Sequence, residues 1–180
     1  MKGIVFTEFV EMVEARYSPA TLDQMIQAAR LPSGGSYTAV GTYDHAEMWS
    51  LLVELSKICG APVPDLLRDF GEHLMNRFVA AFPALFEAPK CSFDFLEGLD
   101  AVIHREVRKL YADAELPRFA VLERKHNSMV LLYESPRHFA DLAEGLIGAC
   151  ARHYGETLSI ARENLAAEAG SRVRFVLERR

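Results

Sequence analysis

The spacing of the apolar residues changes near Pro117, and that change constrains the fold more than any other feature of the chain. Before it, apolar side chains recur at three- and four-residue intervals. After it come short segments rich in Val, Leu, Phe and Tyr. The first spacing gathers side chains on one stripe of a helix, and the second composition suits strands. Residues 3–16 place Ile4, Val5, Phe9, Met12 and Val13 near one stripe. Ser18-Pro19 ends that run, and a second helix is predicted over 21–30. Pro32-Ser33-Gly34-Gly35-Ser36 is a loop. Asp44 with Glu47 has capping-box character and opens a helix that stops at Gly60. Pro64 suits the first turn of a helix reaching about Ala81, and Pro83 ends it. Residues 93–111 read as one long helix, its stripe formed by Phe95, Leu96, Leu99, Ile103, Val107 and Leu110.

Beyond Pro117, residues 118–124 and 128–133 read as a β-hairpin around Lys125-His126-Asn127. A helix over about 138–154 comes next, and then two further strands, 157–165 and 172–179, joined near Gly170. Helices first, then hairpin, helix and hairpin, predict an α+β fold with a small antiparallel sheet of about four strands. The length, 180 residues, suits one domain. Its lobes are expected over about 1–60, all helical, and 61–180, mixed.

Net charge, −5, argues against a general electrostatic grip on nucleic acid or an anionic membrane. The first fifteen residues carry Glu8, Glu11 and Glu14 and no continuous apolar run, so no secretory signal is read and a cytoplasmic protein is expected. Cys59, Cys91 and Cys150 are odd in number and widely spaced, which indicates free thiols rather than a disulfide framework or a zinc site. There is no phosphate-binding loop, dinucleotide fingerprint or nucleophile elbow.

One stretch concentrates chemistry: Leu131-Leu132-Tyr133-Glu134-Ser135-Pro136-Arg137. Tyr133, Ser135 and Arg137 are two apart, so an extended backbone turns all three to one face, and Pro136 favours extension at Ser135. A phenol, a hydroxyl and a guanidinium fork on one face suit capture of a carboxylate or phosphate. The same spacing also describes three polar residues on a solvated strand face. Upstream, His104 sits at the edge of an apolar helical stripe. There it is either an imidazole ligand or a histidine satisfied within the core.

The pattern Tyr133-x-Ser135-x-Arg137 resembles the haem-propionate signature of the H-NOX family, the haem nitric oxide/oxygen-binding domains, and is similar to the haem domain of soluble guanylate cyclase. The opening Met1-Lys2-Gly3-Ile4-Val5-Phe6-Thr7-Glu8-Phe9, the segment Ile103-His104-Arg105-Glu106-Val107-Arg108-Lys109-Leu110-Tyr111 and Leu116-Pro117-Arg118-Phe119 resemble the same family in the same order. The resemblance covers essentially the whole chain and implies a fold enclosing haem b. It makes His104 the proximal iron ligand, and Tyr133, Ser135 and Arg137 the partners of the propionates.

The tyrosine of oxygen-binding members falls at Leu142, with Leu146 one turn on. Ile4, Val5, Phe9, Leu74 and Phe78 complete an apolar distal pocket without a hydrogen-bond donor. Pro117 matches a proline that distorts the macrocycle, and Gly145 a small hinge residue. The resemblance thus implies a nitric oxide sensor that also takes carbon monoxide and discriminates against dioxygen. By the mechanism the resemblance implies, nitric oxide would weaken or break the bond to His104, and the N-terminal lobe would move. The signal is expected to reach a separate protein, a sensor histidine kinase or a cyclic-di-GMP enzyme. Other readings are a haem enzyme such as a peroxidase, a dioxygen-binding haem sensor, or a haem-free chain binding another anion.

Overall fold

The computed structural model describes residues 1–180, apart from the side chain of Leu110. Of the stripe expected over 93–111, Leu110 therefore lies outside the described residues. The helices α1 (Gly3–Arg16), α2 (Pro19–Ala29), α3 (His45–Cys59) and α4 (Val63–Ala81) come first. The short helices α5 (Ala84–Glu87) and α6 (Ser92–Glu97), a π-helical turn (Leu99–Ile103) and α7 (His104–Leu110) come next. Then come β1 (Arg118–Arg124), β2 (Ser128–Ser135), α8 (Ala140–His153), β3 (Leu158–Leu165) and β4 (Ser171–Arg179). The α+β architecture expected from the change of period is the one observed. Among the described residues, no helix is long and apolar enough to cross a membrane.

Two differences from the sequence reading have local causes. The single helix expected over 93–111 is three pieces, because Gly98 accommodates a wide turn in which the Ile103 N–H reaches the Gly98 carbonyl at 3.3 Å. The capping box at Asp44 is half formed. Asp44 Oδ1 accepts from the Ala46 N–H at 2.9 Å. Glu47, which would return the bond, is buried instead and accepts from the Tyr37 hydroxyl at 2.9 Å and from Ser33. Elsewhere the local signals hold. Ser18 Oγ caps α2 through the Thr21 N–H at 3.0 Å with Pro19 in the first turn, and α3 ends on Gly60 at φ 77°. That left-handed conformation is one glycine adopts without strain.

The four strands are antiparallel in the order β1-β2-β4-β3, with a bulge between Val121 and Glu123. Met129, Leu131 and Tyr133 of β2 and Val173, Phe175 and Leu177 of β4 form the buried face. It packs on Phe93 and Leu96 of α6 and on Ala140, Ala143 and Ile147 of α8. A second core joins α1, α2 and α3 to the first half of α4, through Phe6, Met25, Leu51, Leu66 and Phe70. Thus α4 belongs to the helical core as much as to the sheet-bearing part of the chain.

Helices α4 and α8 touch backbone to backbone. A Cβ on Gly71 would lie 2.8 Å from the Leu146 nitrogen, and one on Gly145 would lie 2.8 Å from the Arg68 Cα. Only glycine permits that approach. The structure therefore gives Gly145 a packing role in the α4–α8 contact.

Candidate functional site

Between α4, α8, the π-turn and the sheet lies a cavity of about 270 Å³. His104, the first residue of α7, is on its wall and only 8% exposed. The His104 Nδ1–H donates to Asp100 Oδ1 at 2.7 Å, and Asp100 Oδ2 accepts the Phe119 N–H at 3.0 Å. An ionised carboxylate can only accept, so Nδ1 keeps the proton and Nε2 carries the lone pair. Burial pushes the imidazole below its usual pKa, while Asp100 and its hydrogen bond pull the other way. Neutral imidazole is the form that ligates metal. Asp100 escaped the sequence reading, although its position one helical turn before His104 was a usable signal.

Tyr133 and Ser135 sit on the buried face of β2, and Arg137 lies just past the strand end. All three line the cavity, and none is on a solvated face. Burial raises the Tyr133 pKa, so its phenol keeps a proton to donate. Ser135 Oγ accepts the Arg137 N–H at 3.1 Å, which leaves the hydroxyl proton free for another acceptor. Arg137 Nη2 donates to Glu115 Oε2 at 2.6 Å and Nη1 to the Glu115 carbonyl at 2.9 Å. No local pattern could have announced that partner across 22 positions.

Ile4, Val5, Leu74, Phe78, Leu142 and Leu146 line the cavity with carbon alone, and Pro117 is on the wall near Phe119 in sequence. Phe9 is the exception among the expected pocket residues. It is fully buried among the helices, edge-on to Phe70 with centroids 5.0 Å apart, and is not part of the lining. The three cysteines are free, and among the described residues no group of three His, Cys, Asp or Glu could hold a metal ion.

The donor set fits a large apolar plate carrying a metal and acidic arms. Carbon walls suit the plate, one oriented imidazole suits the metal, and a buried guanidinium with two hydroxyls suits carboxylates. Fold and cavity together define an α+β cradle for such a group.

Residues 2–162 match the family model described as Haem-NO-binding. The chain is 35% identical to the H-NOX protein from K. algicida, solved as Fe(II) unliganded, covering 100% of this chain and 97% of that one at TM-score 0.94. It is 39% identical to the IWP-051-bound H-NOX from Shewanella woodyi in the Fe(II)CO state, covering 100% and 95% at TM-score 0.83. The H-NOX protein from S. oneidensis in the Fe(II)NO state, 24% identical over 100% and 99%, shares the fold at TM-score 0.90. No curated protein matches. The chain belongs to the haem-NO-binding, or H-NOX, family, whose domains bind haem and sense gases.

Proposed function

We propose that the protein is a haem-based nitric oxide sensor. In this reading it takes nitric oxide and carbon monoxide at ferrous haem b, discriminates against dioxygen, and signals to a separate cytoplasmic effector, a sensor histidine kinase or a cyclic-di-GMP enzyme. It is not an enzyme. The observation that carries the reading is the single buried histidine on a carbon-lined cavity, its Nδ1 held by Asp100 at 2.7 Å. The cofactor supplies an open coordination position for a diatomic gas.

The chain's residues supply the rest. His104 Nε2 is the iron ligand, and Asp100 fixes its tautomer and ring angle. Arg137, Ser135 and Tyr133 hold the acidic arms. Leu142 and Leu146 of α8, with Leu74, Phe78, Ile4 and Val5, offer no N–H or O–H. Dioxygen in haem pockets is helped by such a donor, whereas nitric oxide and carbon monoxide depend on one far less. A shift of His104 is carried by α7 into the loop 111–117, which Lys2 Nζ ties to the N-terminal helices through Asp113 at 3.1 Å. That route biases two arrangements of the molecule, a population shift.

The test is the absorption spectrum of the reduced protein under argon, nitric oxide, carbon monoxide and air. Shifts with nitric oxide and carbon monoxide and none attributable to dioxygen support the reading, and a stable response to dioxygen overturns it. In Leu142→Tyr, a donor enters the cavity wall and air is expected to alter the ferrous spectrum. An unchanged spectrum there would remove Leu142 from the gas-facing wall. In Asp100→Ala the imidazole loses its support. Affinity for haem iron is expected to fall about ten- to a hundred-fold, and the iron–histidine stretch in resonance Raman to drop in frequency. An unmoved stretch would show that Asp100 does not orient His104.

A further inference from the structure

Arg137 is buried, but its partner is not. The Arg137 side chain is 10% exposed and that of Glu115 is 78% exposed, with 2.6 Å between their charged atoms. A guanidinium with so little water needs an anion beside it. In the haem reading, the fork of Arg137 also receives an acidic arm of the cofactor. The Met1 ammonium adds positive charge nearby, but Glu115 and the arriving acidic arm compete for the same donors of the Arg137 fork, so one of them has to yield. Glu115 is the one that can, because its side chain turns into water at little cost.

The loop does not depend on that contact for its position. Two residues earlier, Asp113 accepts from Lys2 Nζ at 3.1 and 3.2 Å and from Thr42 Oγ1 at 2.9 Å. Glu115 can therefore let go while the loop stays anchored to the N-terminal segment. The second tie to Arg137, through the Glu115 backbone carbonyl at 2.9 Å, also keeps the fork aimed when the side chain leaves.

We propose that Glu115 is the exchangeable counter-ion of Arg137. It balances the buried guanidinium before the cofactor arrives, and competes with the acidic arm afterwards. The proposal rests on the haem reading of the cavity and adds a residue that sets how tightly the cofactor is retained.

The experiment is the equilibrium partition of haem between the holoprotein and a haem scavenger such as apomyoglobin, for wild type and E115Q. Glutamine keeps the shape and removes the charge. Retention by E115Q is expected to rise about three-fold, the scale of one exposed ion pair. Added salt should narrow the difference in retention between E115Q and wild type, because it screens the exposed competitor. E115A should move retention in the same direction as E115Q. Retention by E115Q that is equal to or below wild type overturns the proposal and makes Glu115 a bystander or a support of the bound cofactor. The wild-type spectrum separates the two claims. A wild-type protein with no haem spectrum overturns the cavity reading and this proposal with it, whereas a haem-loaded wild type with unchanged E115Q overturns this proposal alone.

Discussion

His104→Gly is expected to lose the protein's own bond to haem iron and to regain one when free imidazole is added. The residue is 8% exposed, so removal of its side chain leaves a cleft of imidazole shape beside the Phe119 ring, whose centroid is 6.0 Å from that of His104. Asp100 remains in place because Oδ2 still accepts the Phe119 N–H at 3.0 Å. Its other oxygen is then ready for the N–H of an added imidazole, which would enter in the same orientation. Loss of the ligand should exceed the effect of losing its support, about ten- to a hundred-fold in metal affinity. The measurement is the reduced spectrum of the variant with and without imidazole. A spectrum equal to wild type in the absence of imidazole would remove His104 from the site.

The second large effect is expected from Gly145→Ala. The added Cβ would stand 2.8 Å from the Arg68 Cα, and the obstacle is backbone, which no rotamer change can move aside. Overpacking of this kind costs about 1–3 kcal/mol, and the upper end applies where one helix must be displaced from another. For a chain of this length the midpoint of thermal unfolding should fall by about 6–12 °C. Gly148→Ala is the internal control. It lies on the same helix, and its Cβ would meet nothing nearer than Arg152 Nη1 at 3.6 Å. Replacing an unconstrained helical glycine by alanine should raise stability by about 0.5–1 kcal/mol. Equal midpoints for the two variants would dismiss the close α4–α8 contact. Displacement of α8 also moves Leu142 and Leu146, and α4 carries Leu74 and Phe78. The unfolding change should therefore come with an altered carbon monoxide spectrum.

What the sequence made legible was local. The change of apolar period marked where helices give way to the sheet, and Ser18, Asp44 and Gly60 marked helix ends where they are observed. The two-residue spacing of Tyr133 and Ser135 put both on the face that is buried. What it hid depended on distant partners. Helical spacing gave Phe9 and Val5 to one broad stripe, but only the packing of α4 decides that Phe9 meets Phe70 while Val5 meets the cavity. A π-turn keeps the apolar residues near one side, so the pattern over 93–111 looked like unbroken helix. Glu47 has the capping-box position, yet Ser33 and Tyr37, brought in by the preceding loop, are its stronger partners. Glu115 and Arg137 are joined by the fold alone.

The order β1-β2-β4-β3 leaves β1 and β3 with one open side each. An open strand is a template on which another chain can crystallise its backbone. Here both rims are spoiled for that use. β1 breaks its ladder at the bulge beside Glu123 and carries exposed Arg118 and Arg124, and β3 exposes Arg162 and Glu163. Charge and irregularity on outer strands block growth of a continuous sheet between molecules. Strand-to-strand addition between copies is therefore disfavoured, and crowding many of them together does not zip them into ribbons.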